Sequence, residues 1–96
     1  MNIRLLSPAE DEYAESMLFI LEDSSSAADD FMEEVEAALD EIAEFPLRYP
    51  IYESDVRAKV LTKFRFTIFY RVKEDVVEIS SISHNSREEG HWRKRL

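Results

Sequence analysis

Apolar and polar positions follow two different periods along this chain, and the change falls at residues 46–55. In the opening "IRLLS", Ile3 and Leu5 alternate with Arg4 as in a short strand. The strand runs into "SPAE", where Ser7 fits an N-cap, Pro8 the first helical position and Glu10 the reciprocal acceptor of a capping box. Tyr13, Ala14, Met17, Leu18 and Leu21 then recur at helical spacing, which predicts a helix over 8–23. "SSSAAD" breaks it, and Ser26 with Asp29 repeats the capping pattern. Ala28, Phe31, Met32, Val35, Leu39, Ile42 and Phe45 form one stripe, so a second helix is expected over 27–45, ended by Pro46. Like charges four residues apart (Asp29 and Glu33, Asp30 and Glu34, Glu36 and Asp40, Asp40 and Glu44) cost this helix a few tenths of a kcal/mol each, roughly. It must therefore depend on packing, and an antiparallel hairpin with the first helix is the natural match.

After the proline-bounded loop "PLRYPIYESD" the period drops to two. "VRAKVLTK", "FRFTIFYRV" and "DVVEISSIS" read as strands, the second with Phe64, Phe66, Ile68, Tyr70 and Val72 on one face and Arg65, Thr67, Phe69 and Arg71 on the other. "KED" supplies a short reversal. The expectation is a single α+β domain over residues 1–96, in the order β-α-α-β-β-β, with an antiparallel-rich sheet packed against a helical hairpin.

Composition narrows the chemistry. The chain has no cysteine and a single glycine, so thiolate chemistry and a glycine-rich phosphate loop are both excluded. Its two histidines and scattered acids show no metal-ligand spacing, and neither a metal nor another cofactor is expected. No long apolar run marks a signal peptide or a membrane span, which suggests a cytoplasmic protein without membrane contact. The net charge of −9 is uneven: residues 1–55 hold sixteen acids and two bases, residues 56–96 five acids and ten bases. Either the surface is bipolar, with the basic half facing an anionic partner, or the two halves attract each other within one fold.

Three stretches, in this order, resemble the ParE/RelE superfamily of type II toxins. They are "SPAEDEYAESMLFI", "FRFTIFYRVKEDVVEISSISH" and the ending "HNSREEGHWRKRL", with its His-x-x-Arg and Trp-x-x-Arg spacings, similar to the plasmid-stabilisation branch. The resemblance spans nearly the whole chain. It implies a cognate antitoxin as partner, and as target either DNA gyrase, blocked by binding in the ParE manner, or the ribosome with its mRNA, cut in the RelE manner. The RNA-cleaving branch carries arginine where this chain has Thr67, so the binding branch is the better match. Toxins of this superfamily are mostly basic, and this chain is acidic. A third reading keeps the fold and the partner without toxicity, and a homodimer is a further candidate assembly.

The candidate site follows from the last stretch. Metal-free RNA cleavage needs a general base, a general acid and cations on the phosphate. His84 fits the base or the acid, Arg87 the phosphate clamp and Tyr70 a proton relay. The plainer alternative has His84 bonding the turn at a strand end and Arg87 pairing with an acid of the helical hairpin. Lys63, Arg65, Arg71, Arg93 and Arg95 are candidates for a partner or nucleic-acid surface. Trp92 is a candidate for stacking on a base, or for anchoring the tail as core, while His91 beside it is expected to face solvent.

Overall fold

The computed structural model describes every residue from Met1 to Leu96. Strand β1 (Asn2–Leu5) leads into helix α1 (Ser7–Asp23) and helix α2 (Ser25–Glu44). Four strands follow: β2 (Ile51–Glu53), β3 (Val56–Leu61), β4 (Phe66–Lys73) and β5 (Val76–His84), before a 3-10 turn at Arg93–Arg95. They form one sheet in the order β1-β5-β4-β3-β2, with β1 parallel to β5 and every other pair antiparallel. The helical hairpin is thus the crossover that returns the chain to the sheet. No helix is long and apolar enough to cross a membrane.

The α+β layout expected from the pattern is the observed one, with an added strand. β2 lies inside "PLRYPIYESD", where the prolines suggested only a loop. It has three residues and pairs with β3 at Ile51–Arg57 and Glu53–Val56, while Ile51 and Tyr52 stay exposed. A strand that buries almost nothing leaves no alternation to read; pairing alone creates it.

The helix starts also differ from expectation. Leu6 donates its N–H to Ile79 O at 3.0 Å while its carbonyl accepts from Ala9 and Glu10, so β1 runs into α1 without a spacer. Leu6 is the cap, no side chain bonds there, and Ser7 is already helical. At α2 the cap is Ser24, whose Oγ accepts from Ala27 N–H at 3.1 Å. One extended residue therefore joins the two helices.

α2 buries Ala28, Phe31, Val35, Ala38 and Ile42 against the sheet. Phe31 meets the rings of Tyr13, Phe64 and Phe66 at centroid distances of 5.9, 5.3 and 4.8 Å. Phe66, Ile68 and Tyr70 of β4 face it beside Val77, Ile79 and Ile82 of β5. Each such side chain contributes about 1.5–3 kcal/mol on burial, which is what outweighs the like charges along α2.

α1 departs from its expected face. Its inner positions are Ala9, Glu12, Tyr13, Ser16, Met17 and Ile20, whereas Ala14, Leu18 and Leu21 point outward. The apolar stripe in the sequence is rotated by about 100°, one residue of helix, from the face the fold uses. The fold spends a buried position on Glu12 instead.

Candidate functional site

β1 pairs with only the first four residues of β5, Val76–Ile79. Beyond Ile79 the edge of β5 would expose backbone groups, and α1 crosses there. The Glu12 carboxylate accepts the Ile82 N–H at 3.2 Å and the Ser81 hydroxyl at 3.0 Å, standing in for the missing strand. Next to it β5 bulges: Phe69 pairs with Ser81 and Tyr70 with Ile79, which leaves Ser80 as an extra residue.

Three side chains from the tail, two arginines and a histidine, converge on the same carboxylate. Arg95 donates to its two oxygens at 2.7 and 3.3 Å and to the Ser80 carbonyl at 2.9 Å. His91 Nε2 lies 3.1 Å away and Arg87 Nη1 3.5 Å. Burial works to raise the pKa of Glu12, but the hydrogen bond and charge of Arg95, with the Ile82 and Ser81 bonds, outweigh it and hold the carboxyl below its ordinary value. Glu12 is thus a clasp between α1, β5 and residues 85–96.

Trp92 completes the attachment. It is 2% exposed, stacked on Phe69 at 4.9 Å with Tyr52 edge-on at 6.1 Å, over the sheet face opposite the helices. Its indole N–H has no acceptor, a cost of roughly 1–3 kcal/mol that ring burial must offset. Arg93 forms a fork on Glu53 of β2, both bonds 2.6 Å. Its guanidinium lies over Gly90, which has φ of 75° and where any Cβ would collide with Arg93.

The nominated residues separate into groups. His84 ends β5, exposed, with Nδ1 accepting from Ser86 N–H at 3.1 Å, while Arg87 N–H bonds His84 O at 3.0 Å to close the turn. With Nδ1 accepting that bond, the neutral ring carries its hydrogen on Nε2, which has no partner within the chain. A hollow of about 210 Å³ beside it is lined in part by Thr67, Asn85, Arg87 and His91, with Thr67 bonded to Asn85 at 2.6 Å. Tyr70 is not brought to this place. It is buried four residues along β4 from Phe66, the partner of His84, and its hydroxyl binds Pro46 O at 2.7 Å; burial pushes its pKa up. His91, expected at the surface, is drawn in between Glu12 and the Glu88 carbonyl.

Most of the nominated cations are also engaged. Arg71 joins Glu78 at 3.0 Å, alongside Arg4 on the same carboxylate, which Arg71's hydrogen bond holds below its ordinary pKa despite burial. Lys63 pairs with Asp30 at 3.2 Å, and Arg93 and Arg95 are bound as described. Among them Arg65 alone forms no ion pair; it is exposed in a left-handed turn at φ of 56°. Of the two readings of the charge halves, attraction between them accounts for five of the ten basic residues of 56–96: Lys59, Lys63, Arg87, Arg93 and Arg95. No three His, Asp or Glu side chains converge as metal ligands do.

Sequence reasoning missed Glu12, one acid among the many of the first two helices. One signal for it existed. Glu12 falls at the helical spacing i+3 from Ala9 and i−4 from Ser16, on a face whose other members are apolar or small.

Comparison with known proteins agrees with this architecture. Residues 3–89 match the family model described as the ParE toxin of the type II toxin–antitoxin system, parDE. Among solved structures, one described as the chromosomal ParDE TA system from P. aeruginosa superposes with a TM-score of 0.75. It is 15% identical, and the match covers 88% of this chain and 95% of that one. No curated protein sequence matches significantly.

Proposed function

The chain belongs to the ParE toxin family, and from that premise we propose that it arrests growth by binding a protein target, DNA gyrase, and is neutralised by a cognate antitoxin. With those partners it would act in the cytoplasm. The observation that carries this reading is the state of its cations. Of twelve Lys and Arg side chains, seven are held in ion pairs, and Arg57 is bound to the Leu47 and Tyr49 carbonyls. A site that cleaves RNA without metal must keep cations free for the scissile phosphate; here Arg87 and Arg95 serve an internal carboxylate.

The second reading, a ribosome-dependent mRNA endonuclease, draws on the hollow beside His84, where Nε2 is unengaged and Arg87 is near. One experiment weighs both: induce the chain, map transcript ends, and assay gyrase supercoiling with the purified protein. Inhibited supercoiling with intact transcripts is expected, and His84→Ala should still arrest growth. Codon-spaced cuts that vanish in His84→Ala would overturn the binding reading. An inert chain in both assays would leave a family member that retains only its partner.

A further inference from the structure

α1 presents an apolar surface that nothing in the chain covers. Leu18 is 63% and Phe19 71% exposed, although a globular domain normally turns such residues inward. Phe19 also forms one wall of a groove of about 520 Å³ against Phe64, Phe66 and His84. The sheet wall of the groove carries His84, while the helical wall is acidic, since between residues 7 and 44 there is no Lys, Arg or His. Of the fourteen acids there, only Glu12, Asp30 and Glu41 find a cationic partner. Asp11, Glu15 and Glu22, which flank Leu18 on the same face, are exposed and unpaired.

We propose that this face of α1 and the Phe19 groove dock a cationic amphipathic segment of the antitoxin, with apolar side chains in the groove and Lys or Arg over the acidic rim. The proposal rests on the toxin–antitoxin reading and names the chemistry of the partner. Charge decides the occupant. A second copy meeting this face through its own α1 would set the acids of two such helices against each other with no base on either helix, which opposes self-association there; nucleic acid and anionic lipid are repelled by the same acids. A protein segment that brings both apolar anchors and positive charge meets every requirement, and a helix laid along α1 matches the spacing of Glu15, Leu18, Phe19 and Glu22. The anchors hold the complex and the rim speeds its formation.

The test uses the full chain and designed amphipathic peptides of about eighteen residues, enough for helix to form on contact. One carries a Leu face backed by Lys, a second the same Leu face backed by Glu, a third an Ala face backed by Lys. Only the first is expected to bind. Its affinity should fall at least tenfold in Leu18→Ser/Phe19→Ser, which keeps every acid and whose mutated side chains are exposed, and at least tenfold in about 0.5 M salt. Equal binding of the Leu/Lys and Ala/Lys peptides, capture of the Glu-backed peptide, or full affinity in the double variant would each overturn the proposal. So would concentration-dependent dimerisation abolished by Leu18→Ser/Phe19→Ser. A chain that arrests growth but binds no peptide refutes the surface and leaves the toxin reading. A chain that binds the first peptide but arrests nothing does the reverse.

Discussion

The two helices of the hairpin have similar apolar content but spend it differently. α2 keeps its apolar residues on one stripe and buries nearly all of it, so its structure is secured by packing even though acids crowd its outer face. α1 spreads apolar residues around its circumference, buries Ala9 and Glu12 most deeply, and leaves Leu18, Phe19 and Leu21 in solvent. A helix that needs only to be stable follows the first pattern. α1 also carries the carboxylate that fastens the tail and an outer face that no part of the chain covers, and both depart from what stability alone would select.

If α2 is the packed helix, its centre must be the costliest place to cut. Phe31→Ala should lower stability by about 4 kcal/mol, a large share of what a domain of this size has. Urea denaturation should show the midpoint falling with little change in slope; a loss below about 1 kcal/mol would contradict the ring cluster.

Glu12→Ala tests the polar half of the comparison. It strands two arginines, His91 and the Ile82 N–H, at about 3 kcal/mol, and hydrogen exchange should speed up at Ile82 and across residues 85–96 before the rest of the sheet. Glu12→Gln keeps acceptor geometry and should cost roughly half as much. The same clasp predicts acid sensitivity. Because the folded-state pKa of Glu12 lies below its ordinary value of 4.5, its stabilisation is complete above that value. It is lost as pH falls through the folded pKa, so stability should drop in that acidic window, and by less in Glu12→Gln. An identical acid profile in the variant would remove Glu12 as the cause, leaving Glu41, Glu53 and Glu78, whose pKa values are lowered in the same sense.

Two smaller effects sharpen the contrast. Asp40→Lys on α2 replaces two like-charge spacings, to Glu36 and Glu44, with opposite ones, and should raise stability by about 0.5 kcal/mol, a gain that fades with salt. Leu18→Ser/Phe19→Ser on α1 should change stability by no more than about 0.5 kcal/mol in thermal unfolding. A larger loss would mean that this face packs inside the domain after all.

The sequence by itself determined the succession of β1, two helices and the strands β3 to β5, the bounds of both helices to within two residues and the two faces of β4, because each rests on a local period that many residues share. It also determined the family resemblance, and Trp92 as a residue suited to anchoring the tail. Tertiary structure alone decided which side of α1 faces inward, since eight apolar residues spread around a helix fit more than one rotation, and the face that packs is the one carrying Ala9, Glu12, Tyr13, Met17 and Ile20. It decided that β2 exists, through pairing that no alternation announces. It also decided the fate of the tail cations: a run of Arg, Lys and His reads as an outward-facing patch until a carboxylate about eighty residues earlier is found beneath it. Periodicity reports what neighbours in the chain have in common, whereas ion pairs such as Glu12 with Arg95 join residues that share no local pattern.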